Sequence, residues 1–362
     1  MTQRRTGFSD TSANRRGIFY LKTDIPVSDS VLQGLRKTIH GEALKRCKQL
    51  VKVVEGLLGA PVKEVTPAST QGTFHLIHHV VLHSGEQLIA RSTTPGIFEC
   101  DEGGRLELYA QHQLASLGLP SLTIHALDLT KEHAPFEFLV TDIAQGITLT
   151  ALGDKAMDDS VRLAAIGAAM RQWHQIPASG GGLLDVEWLK KGNTAPRGVH
   201  AGWYEYITTN LDQHVQSCLT IGLLENNAAL QINDWFAKSM RLLAARPVCM
   251  LHGDPGNHNL FMDGMRVSAV VDWEDTLAGD PLYDVAFWAS FHPARRWQAF
   301  LDGYGIADSG ASEFSLPFAL YFLRVTLAKL VHRHRFGYAD TPGRPSSRER
   351  LAQAVQLVKD AL

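Results

Sequence analysis

A chain of 362 residues, 45% hydrophobic and 20% charged, has enough apolar surface to build two lobes around a cleft, and its composition excludes a disordered or fibrous protein. Its formal net charge of -2 gives no support for polyanion binding, so nucleic acid is not an expected partner. Cys47, Cys100, Cys218 and Cys249 lack the spacing of a zinc module or a disulfide framework, no apolar run reaches the ~18 residues of a membrane span, and no secretory segment follows the N-terminus, so a cytoplasmic protein free of membrane is expected.

Residues 1–17 carry Arg4, Arg5, Arg15 and Arg16 against one acid, Asp10, and read as a mobile or loosely packed tail without the amphipathic face of a transit peptide. Ser28 or Ser30 can cap a helix that runs to about Leu58 and stops at Gly59. Its apolar positions, Val31, Leu35, Ile39, Leu44, Leu50, Val53 and Leu57, recur at near-helical spacing. The pattern then becomes that of strands: 64–68, a polar turn Ser69-Thr70-Gln71-Gly72-Thr73, and 74–82. His75, His79 and His83 would share one face of the second strand, which suits exposed polar positions better than a zinc site. A strand over 87–92 has Arg91 as its one cation. Residues 105–117 make an amphipathic helix with the stripe Leu106, Tyr109, Ala110, Leu114 and Leu117; it carries Glu107 and ends before Gly118 and Pro120. Residues 137–143 read as a strand entering Ala144-Gln145-Gly146.

Beyond this point the chain turns helical. A helix over 160–174 ends at His174, and 178–196, with the run Gly180-Gly181-Gly182, reads largely as loop. Helices follow over 203–223 and 226–244, where Trp203, Tyr204 and Tyr206 suit core positions better than a stacking platform. After residue 286 the chain continues helical, and 316–332 is a long apolar helix with a basic end, His332-Arg333-His334-Arg335. From residue 316 onward eight Lys and Arg stand against three Asp and Glu.

The most informative stretch is 248–285, VCMLHGDPGNHNLFMDGMRVSAVVDWEDTLAGDPLYDV. Asp263-Gly264 between apolar runs signals a β-hairpin, so the loop HGDPGNHN precedes a hairpin whose second strand enters Asp272-Trp273-Glu274. That layout brings Asp254 and Asn259 of the loop near Asp272. A carboxylate and an amide oxygen can hold a hard cation such as Mg²⁺, and a further carboxylate can orient a hydroxyl.

His252-Gly253-Asp254 with Asn259, then Asp272-Trp273-Glu274, then Gly279-Asp280-Pro281 with Asp284, resembles the aminoglycoside phosphotransferase-like family of small-molecule kinases. The resemblance implies an α+β, bilobal protein-kinase-like fold, with an N-lobe of antiparallel sheet plus helix and a mainly helical C-lobe. The implied organisation is a tail and helical extension over 1–60, a nucleotide-binding lobe over 61–143, and a lobe carrying the catalytic loop and substrate helices over 144–362. The N-terminal helix is expected to pack on the back of the small lobe. Asp254 is then the catalytic residue, and Asn259 and Asp272 hold Mg²⁺. Arg91 braces the phosphates of ATP, a departure from the lysine of protein kinases, and Glu107 fixes its direction, with Glu102 the other candidate. Backbone of the turn from Ser69 to Gly72 covers the phosphates, and backbone near Thr141 and Ile143 meets the adenine, with GTP left open as donor. Asp280, Asp284 and His174 are implied to be structural.

The implied reaction is phosphoryl transfer to a hydroxyl of a small molecule by a monomer or homodimer. A net basic C-terminal region tilts the acceptor away from a polycationic aminoglycoside and towards a neutral or anionic one, such as a nucleoside-type or sugar-containing antibiotic. A metabolic kinase of choline, homoserine, a sugar or a fructosamine is the alternative, as is a non-catalytic nucleotide-binding protein. A protein kinase is disfavoured, because the chain lacks GxGxxG and Ala-Pro-Glu segments and Trp-Glu follows Asp272.

Overall fold

Five antiparallel strands build the sheet of the smaller lobe, in the order Val62–Pro67, His75–Leu82, Gln87–Thr93, Phe138–Asp142 and Ile124–Asp128. The computed structural model describes residues 8–9, 11–94, 96–100, 102–306, 308–338, 340 and 344–362. One sheet face presents Val80, Leu82, Leu88, Ala90 and Val140 to Leu50, Val53 and Val54 of the helix Asp29–Leu58. That helix stops at Gly59, whose φ of 63° is left-handed and costs a glycine little. Val31 and Leu44, expected on its apolar stripe, are exposed by 47% and 67%. Each residue advances the helix by about 100°, and the neighbouring Leu32 and Ala43 take the buried face instead.

The larger lobe holds a second sheet, ordered Gly198–His200, Gly181–Leu184, Leu277–Gly279 and Cys249–Leu251. The glycine-rich segment expected as loop is therefore a buried strand followed by the helix Val186–Lys190. Its glycines serve close approach rather than flexibility. A Cβ on Gly181 would lie 2.3 Å from the Gly202 carbonyl, and one on Gly182 would lie 2.6 Å from the Tyr206 ring. The two expected helices that follow are each broken, the first by Asn210 at φ 55° between Trp203–Ile207 and Leu211–Thr220. The second divides at Ser239 into Asn226–Lys238 and Met240–Ala244. Trp203 and Tyr206 are fully buried in the core, where Trp203 Nε1 donates to the Tyr321 hydroxyl.

The helix Ser312–Arg335 runs through this core. It is long and apolar enough to cross a membrane, but 83% of its most apolar window is buried inside the protein. Pro317 removes one helical N–H donor. The Glu313 carbonyl that would have accepted it takes Arg246 NH1 at 3.1 Å instead.

The largest departure from expectation is at the N-terminus. Residues 1–7 and 10 lie outside the described residues, but the segment that follows is not a loose tail. Phe8–Ser9 pairs in parallel with Phe98–Cys100. Arg15, Ile18, Phe19, Tyr20, Leu21, Ile25 and Val27 are buried. Phe19 stacks on Tyr206, with the Arg324 guanidinium 3.5 Å from its ring centroid. The Asp24 carboxylate accepts the Phe19 N–H at 2.7 Å and pairs with His214 at 2.6 Å. Arg335 donates to the carbonyls of Thr23, Ile25 and Val27. Each buried aliphatic or aromatic side chain contributes about 1.5–3 kcal/mol, which outweighs the ordering cost of about 1–2 kcal/mol per residue only because so many are buried in succession. The segment crosses the larger lobe as a strap and reaches the catalytic loop.

Candidate active site

The hairpin Leu260–Asp263/Arg266–Val270 turns at Asp263-Gly264, with Gly264 at φ 60°. At its open end the Val271 N–H donates to the Asn259 carbonyl at 3.0 Å. This one backbone bond sets Asn259 of the loop beside Asp272. Asn259 Nδ2 donates to the Asp254 carbonyl at 3.0 Å, which fixes the amide and leaves its Oδ1 without a donor among the described residues.

The loop 252–259 is braced by buried side chains. Asp284 accepts the N–H groups of His252 and Gly253 at 2.7 and 3.0 Å and pairs with His174 at 3.2 Å. His252 Nε2 lies 2.9 Å from the Val271 carbonyl, so it is the donor nitrogen, and Nδ1 then accepts the Asp254 N–H at 3.2 Å. Gly253 sits at φ 83°, and a Cβ there would be 2.1 Å from the Asp275 carbonyl. Asp280 caps the next helix at the Leu282 N–H and holds Arg246 at 2.5 Å and the Tyr321 hydroxyl at 2.9 Å.

Asp272 occupies the left-handed region, φ 67° and ψ 53°, which is costly for a residue with a Cβ and turns its carboxylate out of the strand direction. Arg91 NH1 donates to its Oδ1 at 2.9 Å. Glu107 anchors the motif through the next residue: its Oε2 accepts the Trp273 N–H at 2.7 Å and its Oε1 accepts Gln111 Nε2 at 2.9 Å. The Arg91–Glu107 separation is 3.9 Å, so Arg91 leans on Asp272 first and on Glu107 second. Glu102 is engaged by Arg105 and Lys190, each at 2.6 Å.

At the other nucleotide positions, Gln71 ties the turn around Ser69 and Gly72 by bonds to the Ala68 and Ile77 backbone. Thr141 is already in register with Ile89 and Ile124 on both sides of its strand, whereas Ile143 lies past the ladder's last registered pair.

Sequence reasoning missed the groups that set the charge of the site. Lys22 Nζ lies 2.6 Å from Asp254 Oδ2 and 3.8 Å from Asp275, and the Tyr20 hydroxyl donates to the same Asp254 oxygen at 3.3 Å. Burial alone would push the Asp254 carboxyl up, but the Lys22 ammonium, helped by His258, holds it well below the usual carboxylate range. Among the described residues no hydrogen-bond donor reaches either oxygen of buried Asp275, and that burial raises it to about 6 against the pull of Lys22. Glu274 meets His75 Nδ1 at 3.2 Å, so His75 faces inward while His79 and His83 are exposed. The one available signal for Lys22 was the apolar run Ile18-Phe19-Tyr20-Leu21, too hydrophobic for a solvated tail.

Beside Asp254 opens a cavity of about 370 Å³, walled by Phe291, Phe322 and Leu330 and reached by Lys22, Lys329 and Arg350. It adjoins Thr73 of the turn in the smaller lobe, so a molecule in it would face the proposed phosphate position. Among the described residues no group of three or more His, Cys, Asp or Glu is arranged to hold a metal.

Residues 79–319 match the phosphotransferase enzyme family, more than half of the chain. The chain belongs to that family. Hygromycin-B 4-O-kinase of Escherichia coli is 24% identical over 211 residues, and the match covers 56% of each chain, so this chain spans about half the length of that relative. Aminoglycoside phosphotransferase APH(4)-Ia shares the fold with a TM-score of 0.63 at 18% identity, over 86% of this chain and 98% of that one. A thermostable mutant of it, in ternary complex with AMP-PNP and hygromycin B, gives 0.62 at 19% identity over 85% and 98%. Spectinomycin phosphotransferase APH(9)-Ia, in complex with ADP and spectinomycin, gives 0.58 at 11% identity over 87% and 98%. The α+β, bilobal kinase-like architecture is common to all of them.

Proposed function

We propose that the protein transfers the γ-phosphoryl group of ATP to a hydroxyl of a small molecule. The observation that carries this reading is the convergence of Asp254, Asn259 and Asp272 at the open end of one hairpin, with a cavity on the far side of Asp254. Structures with this fold hold AMP-PNP with hygromycin B and ADP with spectinomycin, which supports the same donor and reaction class here.

Asp254 Oδ2 is taken by Lys22 and Tyr20, and among the described residues no donor reaches Oδ1, which is the oxygen left to receive the acceptor hydroxyl. A carboxylate held this firmly ionised is a weak proton abstractor. Its role is to orient the hydroxyl and take the proton late, as a loose phosphoryl-transfer transition state requires. The bond from the γ-phosphorus to the β–γ bridging oxygen breaks, the bond to the acceptor oxygen forms, and the hydroxyl proton passes to Asp254. Asn259 Oδ1 and the Asp272 carboxylate suit Mg²⁺, which takes few protein ligands and completes its shell with phosphates and water, and which would supply charge neutralisation on those phosphates. Arg91 has to exchange part of its contact with Asp272 for the phosphates, and Glu107 holds the Trp273 backbone in place meanwhile.

A coupled assay for ADP release with an acceptor panel tests the reading. Asp254→Asn is expected to lower turnover about 10²–10⁴-fold with nucleotide affinity retained. Turnover close to that of the parent would reject the assignment.

A further inference from the structure

The cavity beside Asp254 has an unusual charge balance. It is reached by Lys22, Lys329, Arg333, Arg344 and Arg350, while among the described residues Asp254 is the one carboxylate that lines it and is already paired with Lys22. Arg333 has Asp340 as a partner at 3.1 Å. Lys329 and Arg350 have no carboxylate partner among the described residues. Lys329 Nζ donates to Ser290 Oγ at 2.8 Å and lies over the rings of Phe287 and Phe291 at 4.0 and 3.2 Å. Arg350 donates to the carbonyls of Pro345 and Ser290 at 3.0 and 3.3 Å. Both are thus held by neutral oxygens, both reach the same cavity, and among the described residues neither has a carboxylate within ion-pair distance, Asp254 acting on Lys329 and Asp340 on Arg350 only from further away.

We infer that the acceptor carries an anionic group, a carboxylate or a phosphate, that sits between Lys329 and Arg350 while its hydroxyl meets Asp254. The inference rests on the phosphotransferase reading above and names the acceptor class for it. Burial weakens the Lys329 ammonium against the pull of Asp254, Arg350 and Lys22 weaken it further, and an arriving anion would strengthen it. An aminoglycoside, with several protonated amines, would meet like charge on this wall at short range, and like-charge juxtaposition is costly in a site shielded from water. These cations stand on the C-terminal helices Ser312–Arg335 and Ser347–Ala361, whereas the cation expected on the nucleotide, Arg91, stands on the sheet of the smaller lobe.

The test is calorimetric titration of the full chain saturated with Mg²⁺ and a non-hydrolysable ATP analogue. The probes are glycerol 3-phosphate and glycerate as anionic acceptors, glycerol as their neutral analogue, and hygromycin B as a cation. An anionic probe is expected to bind at least about tenfold more tightly than glycerol, and Lys329→Met or Arg350→Gln to reduce that preference about tenfold each. The phosphate-bearing and carboxylate-bearing probes distinguish the two anion types. An anionic probe that binds no better than glycerol, hygromycin B binding more tightly than both anions, or a preference untouched in both variants would overturn the inference. Failure of the ATP analogue itself to bind would instead reject the phosphotransferase reading.

Discussion

Lys22 and Asp254 lie 232 residues apart in sequence and 2.6 Å apart in the active site. The ammonium reaches one oxygen of the carboxylate proposed to be catalytic from a strap that crosses the larger lobe. It also faces Asp275 at 3.8 Å, so one cation serves a group of buried acids.

Removing that cation should therefore be expensive. Lys22→Met leaves Asp254 and Asp275 uncompensated, at a cost of about 3–5 kcal/mol, as for a broken buried pair. The cost should depend on pH. Asp275 already stands at about 6, above its ordinary 3.8, so loss of Lys22 raises it further and releases Asp254 upward from its depressed position. A carboxyl raised in the folded state stabilises it below that raised value and ceases to do so as pH rises through it. Denaturant unfolding should show a larger deficit for the variant at pH 8 than at pH 5; equal deficits would contradict the charge argument.

Arg335 clamps the strap by donating to three alternate carbonyls on it, those of Thr23, Ile25 and Val27, and pairing with Asp29 at 2.9 Å. Arg335→Ala should cost about 1.5–3 kcal/mol. It should also speed limited proteolysis between residues 18 and 28 before any other site becomes labile. Cleavage elsewhere first would show that the strap is held independently of Arg335.

His332 closes over the strap, with Nδ1 at 3.3 Å from the Lys22 carbonyl, and its burial lowers it from 6.5 to about 4. A histidine kept neutral in the fold binds its proton more readily when unfolded. Its contribution is fully present above pH 6.5 and is lost as pH falls towards 4. His332→Phe should flatten the stability curve across that window; an unchanged slope would remove His332 from the account.

Gly253→Ala brings a Cβ to 2.1 Å from the Asp275 carbonyl at a positive φ. We expect a loss of about 1–3 kcal/mol or more, read as a melting-temperature drop, together with loss of turnover as Asp254 shifts. Retention of both would mean the loop relaxes without moving its acid.

Chelation offers a further check. With Asn259 and Asp272 as the two proposed ligands, and among the described residues no group of three or more His, Cys, Asp or Glu arranged to hold a metal, the site would depend on the nucleotide, so EDTA should abolish phosphoryl transfer without changing the melting temperature of the free protein. A fall in melting temperature on chelation would point to a resident structural ion.

The part of the site legible in the sequence is the part built from short-range chemistry. Asp254 and Asn259 share a loop, and Asp272 follows one hairpin later, so spacing and turn signals suffice to bring them together. Arg91 and Glu107 needed the sheet register and helix phase, and the structure adds that Glu107 holds Trp273 more closely than it holds Arg91. The glycine run at 180–182 was misleading because composition cannot tell a glycine needed for freedom from one needed for contact. Lys22 was out of reach for a different reason. Its partner is distant in sequence, its neighbours form only a short apolar run, and no periodicity marks a strap.

The strap also sets an order of events during synthesis. Residues 15–27 leave the ribosome long before Arg335, yet Thr23, Ile25 and Val27 are held by it from more than three hundred residues later. Contacts this distant form only after the intervening loops have closed, and domains generally acquire structure as they emerge. The nascent chain can thus complete its smaller lobe, and with it the sheet that carries Arg91, while Asp254 still lacks its cation. The site around Asp254 is finished by an early-made segment, returning to be held by a helix made some three hundred residues later.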